Sequence, residues 1–109
     1  MRPKKRYFLV KVTNINNIED FSKIIYNTLN KYDKFINIKA NFRIVKDIYK
    51  INNNDIIGVI RIDNKYKYEV VCYLSLMIRE SRSSFITLKN SGSIKKIKME
   101  VKNYGSDAK

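Results

Sequence analysis

At 109 residues, 44% of them apolar, the chain is long enough to close one core and too short for two. Its 23 lysines and arginines stand against 10 carboxylates, a formal charge of +13, and a small domain with that excess repels itself unless a polyanion or anionic surface meets it. A single cysteine excludes a disulfide framework, and the lack of histidine removes the usual neutral-pH general base and commonest metal ligand.

Residues 1–5 read as a basic arm, Arg2-Pro3-Lys4-Lys5 after the initial Met. The apolar run that follows is cut by Lys11, too early for a secretory signal core. Residues 6–12 alternate, with Phe8, Val10 and Val12 on one side and Tyr7, Leu9 and Lys11 on the other, which predicts a strand. Asn16 or Asn17 is placed to cap a helix with Glu19 and Asp20 in its first turn. Ile18, Phe21, Ile25, Leu29 and Tyr32 carry that helix to about residue 33 at three- and four-residue spacing.

After a connector at 34–38, residues 40–50 alternate again: Phe42, Ile44 and Ile48 on one face, Arg43, Val45 and Tyr49 on the other. The Asn52-Asn53-Asn54-Asp55 turn returns the chain into a strand at 56–62, so 40–62 reads as a hairpin. Asp63 or Asn64 caps a second helix with a buried stripe of Tyr66, Val70, Tyr73 or Leu74, and Met77, fraying near Glu80. Cys72 is assigned to the apolar side of this helix as a small core hydrophobe; a reduced thiol there points to the cytoplasm. A loop at 81–84 leads to a strand at 85–89, and a third helix spans 93–104, closed by Gly105 ahead of a loose tail at 105–109. No stretch approaches the roughly 18 apolar residues of a membrane span.

The order β-α-β-β-α-β-α describes an α+β domain, a ferredoxin-like four-stranded antiparallel sheet of the kind RNA-recognition domains share, with an extra C-terminal helix. Alternation places Tyr7, Arg43, Arg61, Phe85 and Lys89 on the sheet face away from the crossover helices. The third strand has no aromatic residue for base stacking there, and Leu9, Ile57 and Val59 make that face apolar. It is therefore expected to be covered, by the third helix or by another protein for which those three residues would form the interface.

The third helix breaks a rule. Ile94, Ile97, Val101 and Tyr104 form one narrow apolar stripe, with Lys95, Lys96 and Lys102 off it and Lys98 on its flank. Lysines in a first turn oppose the positive helix N-terminus, whereas Ser91-Gly92-Ser93 ahead of them is the backbone that lets an anion approach. The cluster is read as a phosphate site, and the arm as a grip on phosphate backbone.

The order and spacing of Arg2-Pro3-Lys4-Lys5-Arg6-Tyr7, of Ile60-Arg61-Ile62 before the second helix, and of Ser91-Gly92-Ser93-Ile94-Lys95-Lys96 resemble ribonuclease P protein component 2 of archaea and eukaryotes, the Pop-five family. Ser93 stands where the family usually has threonine. The resemblance spans roughly residues 2 to 101 and implies an accessory subunit of the ribonucleoprotein that removes 5′ leaders from precursor tRNA. In that assembly the RNA is catalytic and requires magnesium, and the protein binds no cofactor. Implied partners are ribonuclease P RNA, precursor tRNA and the TIM-barrel-like subunit, component 3, with room for a homodimer in the assembly and none for a membrane. Carried onto this sequence, Arg2, Lys4, Lys5, Arg6, Ser93, Lys95 and Lys96 are RNA contacts, joined by Ser91, Gly92 and Lys98 and, on a guess of facing, by Arg43, Arg61, Arg82 and Lys89.

Two other readings stay open. A stand-alone metal-dependent nuclease of this topology would want an acidic residue after the first strand, where Val12-Thr13-Asn14 stands. A non-enzymatic dimeric RNA-binding adaptor would pair its apolar sheet face with itself.

Overall fold

The apolar run Tyr7-Phe8-Leu9-Val10 gives the first strand two apolar faces, and the rest of the fold is built on both of them. A computed structural model describes residues 4–79 and 82–103. β1 spans Lys5–Val12, α1 Ile18–Tyr32, α2 Ile36–Lys39, β2 Arg43–Asn52 and β3 Asp55–Asp63. A 3-10 turn at Asn64–Tyr66 leads into α3, Lys67–Ser75, and a second at Leu76–Arg79 ends it. β4, Phe85–Ser91, and α4, Ile94–Asn103, complete the order. Arg2, Glu80, Tyr104, Gly105 and the tail lie outside the described residues.

The sheet order is β2-β3-β1-β4, with every pairing antiparallel. That is the ferredoxin-like arrangement expected from the element order. One face carries the larger core, where Phe8, Val10 and Val12 meet Phe21, Ile25 and Leu29 of α1 and Val70 and Leu74 of α3. Gly58 belongs to this face because a Cβ there would lie 2.6 Å from the Phe21 ring, closer than packed atoms approach. The opposite face is closed by α4, whose Ile97 and Val101 pack on Leu9, Ile57 and Val59. Those three strand residues are 1%, 0% and 0% exposed. They are core of this chain, not a surface open to a partner protein, and the third helix is what covers them.

Two irregularities correct the expected facing. β2 pairs Val45 with Val59 and then Tyr49 with Gly58, so residues 46–48 bulge out. Three extra residues reverse the alternation: Tyr49 moves to the face of Gly58, and Ile48 packs with Val45 in the α4-side cluster rather than with Ile44. In β4 the register slips between Thr87, opposite Val10, and Lys89, opposite Leu9. Leu88 packs on the α4 side, while Phe85, opposite Val12, lies in the larger core and not on the face that simple alternation gives it.

Local chemistry explains the helix starts. Asn17 caps α1, its Oδ1 accepting from the Asp20 N–H at 2.8 Å. Asp63 forms no such cap, since β3 extends through it to pair with Lys5 and the chain enters a 3-10 turn before α3 begins. Cys72 is exposed, because the stripe of Val70, Leu74 and Met77 faces the sheet and position 72 points away. The assignment of Cys72 to the core is therefore corrected.

Candidate nucleic-acid interface

Four chain segments converge at the end of the sheet where β1 starts and where β3 and β4 finish. The arm is tied down there: the Asn64 N–H donates to the Lys4 carbonyl at 2.6 Å. Lys5 is already the first residue of β1, opposite Asp63, rather than part of a free tail. Arg6 is half-buried and donates through Nη2 to Asn90 Oδ1 on the next strand, while Nη1 comes within 3.4 Å of where a Gly92 Cβ would lie. The Arg6 guanidinium thus lies in ordinary contact range of the β4–α4 loop at position 92.

The result is an open basin of about 560 Å³ lined by Lys4, Lys5, Arg6, Asn64, Lys67 and Gly92. Four of those six residues are cations at neutral pH, and no carboxylate is among them. Arg6 Nε is buried and has no hydrogen-bond partner among the described residues. Four cations with no opposing carboxylate in the lining give the basin a positive potential that favours an anion over a cation.

A second groove of about 400 Å³ lies on the α4 side of the same end, lined by Tyr7, Arg43, Ile44, Val45, Lys46, Asp47, Arg61 and Ile94. Arg43 and Arg61 are direct cross-strand partners, a pairing of like charges that is unfavourable in a sheet without an anion between them. Arg61 Nε is also buried and unpartnered. Asp47 supplies one opposing charge at the rim.

The β4–α4 loop is more ordered internally than an empty cradle. The Ser93 N–H donates to Ser91 Oγ at 3.0 Å, and the Ile97 N–H to the Ser93 carbonyl at 3.4 Å opens the helix. Lys95, Lys96 and Lys98 are exposed on α4, whose first turn has no acidic residue, and none of the three lines the basin or the groove. Their charge adds to the field of this end rather than to either cavity.

Of the remaining expected contacts, Lys89 faces α4 and lies 3.9 Å from Glu100. Arg82 sits at the opposite end of the sheet, where its carbonyl accepts from Asn14 Nδ2 at 3.2 Å, so the fold does not bring it to the cationic end. Arg2 lies outside the described residues. Lys67 is not among the expected contacts. It joins the arm only because the chain spends Asn64–Tyr66 in a 3-10 turn, which brings the start of α3 beside Lys4.

Among the described residues, no three of His, Cys, Asp and Glu come together to hold a metal ion, and no helix is long and apolar enough to cross a membrane. No protein-family model matches the sequence. No curated protein matches it either. Among solved structures, the de novo designed protein Ferredog-Diesel is similar at 12% identity and a TM-score of 0.45, over 82% of this chain and 88% of that one.

Proposed function

We propose that this chain is an RNA-binding accessory subunit of a ribonuclease P particle, acting in the cytoplasm on the RNA that matures the 5′ ends of precursor tRNA. The observation that carries the RNA-binding part is the carboxylate-free basin of Lys4, Lys5, Arg6 and Lys67 behind Gly92. The ribonuclease P part rests on the resemblance of residues 2–7, 60–62 and 91–96 to component 2. In this reading the protein's work is electrostatic. The basin seats one phosphate group, Arg43 and Arg61 gain an anion between them, and Lys95 and Lys96 extend the positive field along the RNA backbone. Catalysis stays with the RNA and its magnesium ions. Any protein partner of the component 3 kind would meet a surface other than Leu9, Ile57 and Val59, which α4 occupies.

Reconstitution tests both parts. Omitting this chain should slow precursor-tRNA cleavage by a particle assembled with the RNA and the other subunits at moderate magnesium; unchanged cleavage would remove the ribonuclease P assignment. Replacing Lys5 and Lys67 together by Ala should weaken binding to structured RNA and lower the slope of log affinity against log salt by about 1, near 0.9 for the one phosphate no longer neutralised. An unaltered salt slope would mean that the basin does not hold RNA.

A further inference from the structure

A narrower groove of about 240 Å³ runs between α3 and β4, lined by Phe8, Lys67, Tyr68, Val71, Thr87 and Asn90. It adjoins the basin through Lys67, which lines both. The chemistry changes sharply across that residue. On the basin side lie Lys4, Lys5 and Arg6; on the other lie an aromatic ring, the buried edge of Phe8, and Val71.

Tyr68 is 79% exposed, so nearly all of its ring surface meets water although a core lies close by. The Lys67 ammonium sits over one face of that ring, 5.1 Å from its centre, which leaves the other face for a stacking partner. Asn90 Oδ1 is engaged by Arg6; the Asn90 NH2 group is a donor and the Thr87 hydroxyl a donor or acceptor among the groove-lining residues. Both faces of the sheet are covered by helices, so base stacking on strand residues, as RNA-recognition domains do it, has no place here.

We propose that this groove takes an unstacked base of single-stranded RNA, with Tyr68 stacking on the base and an adjoining phosphate lying in the basin across Lys67. The inference rests on the RNA-binding reading above and adds the form of RNA bound. A duplex keeps its base faces stacked and offers the groove nothing, whereas a loop or bulge presents both a π-face and a backbone to this pairing of ring and cations. Polar contact with Asn90 and Thr87 tunes base preference, while stacking itself tolerates any base.

The test compares a labelled single-stranded RNA of about ten nucleotides with a duplex of the same length, by fluorescence anisotropy at one fixed salt concentration. Tyr68→Ala, at an exposed position, should weaken single-strand binding roughly 5- to 150-fold and leave duplex binding within about twofold. Tyr68→Phe, which keeps the ring, should bind like the parent chain. The groove proposal is overturned if Tyr68→Ala leaves single-strand binding unchanged, or if both RNAs lose affinity equally. A parent chain that binds neither RNA would overturn the RNA-binding reading itself, a different outcome from a parent chain that binds both and is indifferent to Tyr68.

Discussion

α1 begins with an Asn17 side chain on the Asp20 N–H and with Glu19 and Asp20 in its first turn, whereas α4 begins Ile94-Lys95-Lys96 with no acidic residue. Both helices lie flat on the same sheet, one on each face. At α1 every local signal agrees: cap, charge and a stripe of Phe21, Ile25 and Leu29 that is wholly buried. At α4 the apolar stripe of Ile97 and Val101 holds the helix down while its first-turn charges oppose the dipole. The difference separates residues kept for folding from residues kept for a surface. The two lysines at the start of α4 do nothing for the helix itself, so its place on the sheet rests on the apolar stripe alone.

The largest test of that contrast is in the two cores. Phe21→Ala should destabilise by about 3–5 kcal/mol in chemical denaturation, because Phe21 is fully buried against Gly58. Ile97→Ala, in the smaller of the two clusters and with a smaller side chain removed, should fall near the lower end of roughly 2–5 kcal/mol. Equal costs would mean that α4 is as deeply integrated as α1. Next come the helix starts, where the signs should differ. Asn17→Ala is expected to cost about 1 kcal/mol. The Lys95→Glu, Lys96→Glu pair should instead raise stability by about 0.3–1 kcal/mol per substitution at low salt while weakening RNA binding. Loss of stability in that double variant would show that these lysines are not misplaced for the fold.

The smallest effect concerns acid. Asp33, at the end of α1, accepts from the Phe35 N–H at 2.9 Å, and Lys39 Nζ lies 3.0 Å away; together they hold its carboxyl below the ordinary 3.8. A folded-state pKa below the unfolded one means that this contribution is complete above the unfolded value and fades as pH falls through the folded one. Asp33→Asn should therefore slightly flatten the decline of thermal stability between about pH 5 and pH 2, and an identical acid limb would show that the contact contributes nothing measurable.

What the residues disclose in advance follows from periodicity. β1, α1, the Asn-rich hairpin turn and the covered apolar face are legible because their signals repeat over several residues, and Asn53 indeed takes a left-handed φ of 58° in that turn. The bulges at 46–48 and near Leu88 are not, since an extra residue leaves no mark in composition yet reverses every side chain beyond it. Cys72 escapes a correct placement for a related reason: α3 is short and apolar on several sides, so its inward face is set by what it packs against. The cationic end is legible as an arm and a glycine-containing loop. Lys67 and Tyr68 are not, because their place beside the arm depends on one 3-10 turn that fixes where α3 starts.

The three-residue bulge in β2 also determines how the molecule can grow. β2 and β4 are the two outer strands, and each could template a further strand along its open backbone. Residues 46–48 interrupt the even row of donors and acceptors on the β2 side, so that border cannot be extended in register by another chain. A protein with this much excess charge is usually said to stay monomeric by repulsion. Salt or any polyanion that screens the charge would remove that repulsion, and on the β2 flank the irregular border would still stand against edge-to-edge pairing.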